Sequence, residues 1–378
     1  MPPFGITRRA LGSAFFVVLI ADNSRVVIAP SEAVAGSASV TDTYSAVANA
    51  EDIARQWPDG REMPALLRAV VAYVKDKPWM SLGATRLVGD RMDDYWIENG
   101  ADLWRDFGIF MRLPDGSRVA QWFRDGQTGE PPVVLIGSEG EQVVLAPNLE
   151  AFLAVWALAH FDDNGALVAE GVPVGLPSDL IRSDDEDEDD DPVADGRPAF
   201  AAFLTQMLER PVAQLITAKQ SDAGFETFFS EWGHAARAEI SANPNLQQMA
   251  KILDAYVPRG KQPWQRANFR ISAIGDRIEI GGNGDPRKPL NEAEAAALRP
   301  LIARERERRA AGSHAPRGLW HSAAINLYPD GLCQLQCDWA SAPKFFNGPA
   351  ATAAEFLRDQ QRFPKGERWI EPWMKELP

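Results

Sequence analysis

Residues 132–153 read Pro-Val-Val-Leu-Ile-Gly-Ser-Glu-Gly-Glu-Gln-Val-Val-Leu-Ala-Pro-Asn-Leu-Glu-Ala-Phe-Leu. An apolar run, Val133 to Ile136, stops at Gly137-Ser138-Glu139-Gly140-Glu141 and resumes at Val143 to Leu145, which is the pattern of two short strands joined by a turn. Asn148 precedes a stretch whose apolar residues Phe152, Val155, Trp156 and Ala159 recur at helical spacing. Its side chain suits a helix N-cap, so strand, turn, strand and helix follow within thirty residues.

Working outward, the same chemistry recurs upstream. Phe107 to Arg112 and Arg118 to Phe123 flank Leu113-Pro114-Asp115-Gly116, where Pro presets the first central turn position and Gly accepts the geometry at its end. Met63, Leu66, Leu67, Val70, Val71 and Val74 place one apolar face on a helix over 62–75. Residues 51–181 therefore read as an antiparallel sheet flanked by helices. Asp184 to Asp191 is a run of eight consecutive acids followed by Pro192, too densely charged to bury, and it reads as a solvated linker over 182–197.

A second unit, 198–378, follows. It opens with helices over 199–208, 225–239 and 246–256, then strands over 269–274 and 277–280. Asn291 with Glu294 announces a helix over 295–310, which Pro300 is expected to end or kink near Arg299. A second Pro-Asp-Gly turn at Tyr328-Pro329-Asp330-Gly331 joins 323–327 to an alternating strand reaching Trp339, and Thr352 with Glu355 caps a last helix to about Arg362. The expected fold class is α+β, two domains, each a small antiparallel sheet flanked by helices.

The chain has 378 residues, 45% hydrophobic and 24% charged, which is globular usage and room for two domains of roughly 150 residues. Its net charge of −14 speaks against nucleic acid as a target and for a basic partner. Arg8 and Arg9 ahead of the apolar run 10–21 allow an export signal, but Asp22, Asn23 and Arg25 interrupt it. Residues 1–50 are therefore read as a disordered extension, with the signal as the lesser reading and a cytoplasmic location preferred. That run is too short to span a bilayer, and no other segment is a candidate.

Signals for chemistry are sparse. Gly281-Gly282-Asn283-Gly284-Asp285 lacks the Lys-Ser or Lys-Thr that would make it a phosphate loop and reads as a turn. Ser138 lacks the Gly two positions before it that a nucleophile elbow needs. His321, beside Ser322 at a strand start, could serve as a general base but reads first as a packed residue. Cys333 and Cys337 lie four apart on one strand, about 13 Å, beyond the roughly 7 Å that a disulfide spans, and are read as buried thiols rather than metal ligands. No cofactor, metal or catalytic residue is expected. The candidate partner-binding residues are Glu139 and Glu141 on the turn and Asp184, Asp185, Glu186 and Asp187 in the acidic run.

Over the quoted segment, with its apolar strand, Gly-Ser-Glu-Gly-Glu turn, second strand and Asn-Leu helix start bearing Phe152-Leu153, the chain resembles the SUKH (Smi/Knr-type) immunity superfamily. Residues 320–339, Thr352 to Leu357, Phe363-Pro364 and Pro372-Trp373-Met374 resemble the ending of a second bacterial immunity-type module. The resemblance implies α+β domains that bind a protein toxin, often a nuclease or deaminase, without catalysis. An exported hydrolase and an acidic adaptor protein are the rival readings.

Overall fold

The computed structural model describes residues 49–75, 77, 81–83, 86–92, 103–124, 126–177, 180–181, 195–256, 265–282, 285–312 and 314–377, and the strand backbone of 16–21 and 25–30. The acidic run, with Asp184, Asp185, Glu186 and Asp187, lies outside the described residues. Within the N-terminal stretch read as disordered, β1 (Phe16–Ala21) and β2 (Arg25–Pro30) pair antiparallel, as runs rich in Val and Ile do.

Two helices, α1 (Ala50–Gln56) and α2 (Ala65–Lys75), lead into β3 (Arg86–Asp90), β4 (Phe107–Arg112), β5 (Arg118–Trp122), β6 (Val133–Ile136) and β7 (Gln142–Ala146). These five strands form one antiparallel sheet in sequence order, each paired with the next. Alternation along the strands divides the side chains between two cores. Phe110, Val119, Val133 and Leu135 pack with α1, α2 and α3 (Leu149–Leu158), while Phe107, Ala120, Trp122 and Val134 face the other way. Asn148 caps α3 as its position required, accepting from the Ala151 N–H at 2.9 Å. A small sheet of β8 (His160–Phe161), β9 (Leu167–Ala169) and β10 (Val172–Pro173) follows.

The packing draws the unit boundary elsewhere than the acidic run. Helix α4 (Arg197–Leu208), assigned to the second unit by its sequence position, sends Phe200 and Leu204 into the first core, where Phe200 meets Trp156 edge to face at 5.1 Å. A charge run marks where chain cannot be buried, not which core claims the helix after it. Helix α5 (Ala223–Ala242) then serves both halves: Phe225 and Phe229 cover the second face of the first sheet, and Ile240 enters the core of the second.

In the second half, α6 (Pro244–Leu253) leads to a five-stranded antiparallel sheet ordered β13-β12-β11-β14-β15, built from β11 (Ala267–Ile274), β12 (Arg277–Gly282), β13 (Asp285–Pro289), β14 (Ser322–Leu327) and β15 (Cys333–Asp338). Helix α7 (Glu292–Ala311) lies between β13 and β14 in the chain and continues across Pro300, which therefore does not end it. An interior Pro costs about 3 kcal/mol, and the full burial of Leu298, Leu301 and Ile302 around it outweighs that cost. The half-buried reading of β15 also gives way. Cys333, Leu335 and Cys337 enter the core, but Gln334 and Gln336 on the opposite face are buried too, and Gln334 accepts from the Tyr328 hydroxyl at 3.3 Å. Helix α8 (Ala353–Arg362) begins with the full capping box of Thr352 and Glu355, and α9 (Pro372–Lys375) closes the chain. No helix among the described residues is long and apolar enough to cross a membrane.

Candidate functional site

The register of the first sheet sets two turns side by side. Arg118 of β5 pairs with Ile136 of β6, so the Pro-Asp-Gly turn before β5 lies against the Gly-Ser-Glu-Gly-Glu turn after β6. Asp115 accepts from the Ser117 hydroxyl at 2.6 Å and from the Ser117 N–H at 2.8 Å, and Ser117 Oγ in turn accepts from the Ser138 N–H at 3.0 Å. The Ser138 hydroxyl adds a bond to Asp115 at 3.3 Å, which occupies this serine in cross-linking the turns. Glu141 folds back over its own turn and accepts from the Glu139 N–H at 3.2 Å. That fold-back requires Gly137, because a Cβ there would stand 2.8 Å from Glu141 Cβ, and Gly140 supplies the left-handed backbone with φ +95°.

Asp115, Glu139 and Glu141 are all exposed. The result is three carboxylates at one end of the first sheet, those of Asp115 and Glu141 held by hydrogen bonds, with Arg118 behind them neutralised by Asp90 at 2.6 Å and exposed Arg112 opposite it in register. Fixed acceptors on a cross-linked base attract a basic group without much ordering on binding. Sequence reading named Glu139 and Glu141 as candidates and did not name Asp115, which the structure places beside them and whose Pro-Asp-Gly context signals only a turn. The available signal was that the two turns join β4 to β5 and β6 to β7 of one meander, alternate connections that fall at the same end of a sheet.

The other sequence candidates lie apart from this end. His321 is fully buried, as a packed residue would be. It sits beside a buried ion pair in which Arg306 of α7 donates to Asp359 of α8 at 3.0 Å and to the carbonyls of Trp320 and Gly275. Cys333 and Cys337 are both buried, and burial pushes the Cys333 thiol up to about 12. Among the described residues no three His, Cys, Asp or Glu side chains gather as metal ligands would. A cavity of about 270 Å³ opens between α5 and the end of α7, where Trp232 and Ile240 give an apolar wall and Arg308 reaches Glu239 at 3.2 Å.

A third cluster joins the halves. The Arg91 guanidinium, after β3, stacks 3.6 Å from the Trp369 ring centroid, and Trp104 meets the same indole edge to face at 5.1 Å. Arg368 donates to the Trp57 carbonyl at 2.6 Å and pairs with Asp59. Burial first, and then the Arg317 charge, lowers Arg91 to about 9. Nothing local to either stretch announces this seam, because its partners are more than 200 residues apart in sequence. Comparison with known proteins returns no matching family model, no matching curated protein and no matching solved structure.

Proposed function

We propose that this protein is an immunity protein that binds a basic protein toxin stoichiometrically and neutralises it. One observation carries the reading: Asp115, Glu139 and Glu141 converge on two turns that hydrogen-bond to each other at the end of a buried sheet. A toxin that acts on nucleic acid must present a basic, phosphate-binding surface, and an acidic rigid patch both covers such a surface and speeds the encounter. The overall charge of −14 adds the same bias at longer range. The resemblance of residues 132–153 to immunity proteins falls on this turn.

The test searches the neighbouring genes for toxin domains and pairs each purified product with the full chain. Glu139→Lys with Glu141→Lys is expected to slow association at low salt by tenfold or more, in the range that electrostatic steering supplies, with the fold retained and a stability loss of about 1 kcal/mol from the Glu141 turn bond. Toxin activity that persists in the presence of excess wild-type protein would refute the immunity reading. Unchanged association of the reversed variant would leave immunity standing and remove this surface from the interface.

A further inference from the structure

His321 is wholly buried, no side chain completes a hydrogen bond to either imidazole nitrogen, and the Ala273 backbone is the polar partner drawn up to the ring. A buried polar ring left in this state needs a reason. Its neighbours come from five elements. Arg306 reaches in from α7, Asp359 from α8 with Oδ2 at 3.9 Å from Nδ1, and Lys365 from the segment after α8. The Ala273 backbone faces it from β11, and Trp373 of α9 meets the ring edge to face at 5.2 Å. Further out, Arg362 acts on Asp359, while Arg317 and Glu371 act on Lys365.

The neutral ring is compatible with this setting and the charged one is not. Asp359 already serves Arg306, and Lys365, whose amine burial also holds well below its ordinary value, donates to the Arg317 carbonyl at 2.6 Å. A proton on His321 would therefore add a cation beside two basic groups, in a place that water does not reach, with one shared carboxylate. The element pressed on the ring also holds the two halves together. Residues 363–377 carry Trp373 against His321, and the same stretch carries Arg368 and Trp369, whose contacts with Trp57, Asp59, Arg91 and Trp104 form the seam.

We propose that His321 is the proton sensor of an acid-released clasp: neutral, it lets residues 363–377 close the second half onto the first, and protonated, it displaces Trp373 and loosens that seam. Burial, with Lys365 and Arg306 next, holds the imidazole well below its ordinary value of 6.5, against the hydrogen bond with the Ala273 backbone. A folded-state value lowered in this way gives stability that is complete above the ordinary value and is lost as pH falls below it. Burial moves Asp359 upward instead, so it titrates in the opposite sense and offsets the loss towards the carboxylate range.

The experiment is hydrogen exchange of the full chain, read by mass spectrometry at about pH 7.5 and about pH 5.5 and corrected for intrinsic rates. Protection over 363–377 and over 57–61 is expected to fall by up to about tenfold for each pH unit below the ordinary value, while α2 is unchanged. His321→Phe, an apolar ring suited to the Phe356 and Trp373 contacts, should abolish the loss of protection on acidification. If that variant does not fold, His321→Gln, neutral at every pH, carries the same expectation. Unchanged wild-type protection at 363–377, an equal loss in α2, or a loss on acidification that survives either variant would overturn the proposal.

Discussion

Replacing Asp359 with Leu removes one partner of a buried ion pair. The side chains of Arg306 and Asp359 are 4% and 3% exposed, and Asp359 Oδ2 accepts from Arg306 Nη2 and from the Gly275 N–H, both at 3.0 Å. Without the carboxylate, Arg306 keeps its carbonyl partners but loses its counter-charge, and the Gly275 N–H loses its acceptor. Leaving one member of such a pair behind costs about 3–5 kcal/mol. Desolvation is the leading influence on both groups, pushing Arg306 down and Asp359 up, so the pair itself adds little net stability. The double variant Arg306→Met with Asp359→Leu should therefore cost no more than either single change, giving a coupling of about 3 kcal/mol. Urea unfolding at about pH 7.5, followed by tryptophan fluorescence, reads all four corners of the cycle. Single effects below about 1 kcal/mol, or effects that simply add, would refute the account of a mutually dependent buried pair.

Three further outcomes follow from other parts of the molecule. Cys333→Ala and Cys337→Ala should each cost on the order of 1 kcal/mol through lost packing, with slow thiol labelling of the native protein and two reactive thiols after denaturation; fast native labelling would contradict their burial. Gly137→Ala should drive the Glu141 side chain off its turn and cost about 1–3 kcal/mol, and an unchanged melting curve would show that the turn yields freely. Replacing Asp184 to Asp191 with Gly and Ser should leave thermal unfolding nearly unchanged, because solvated like charges add little native structure; a large loss would show that the run packs on basic residues.

Sequence alone determined the parts governed by neighbours in the chain. Pro114-Asp115-Gly116 and Pro329-Asp330-Gly331 set two hairpins, and Asn148, Asn291 and Thr352 set three helix starts, because turn and cap chemistry acts over three or four residues. The α+β class followed from the same patterns. The tertiary structure alone decided which core claimed α4, that α7 would pass through Pro300, that Gln334 and Gln336 would be covered, and that Asp115 would join Glu139 and Glu141. It also decided that Arg91 would stack on Trp369 and that His321 would be sealed beside Arg306 and Lys365. Each of these depends on burial against a surface distant in sequence, and the free energy of removing apolar area from water is indifferent to chain separation. A residue's identity states what it costs to bury, and the packing of the whole chain states whether that cost is met.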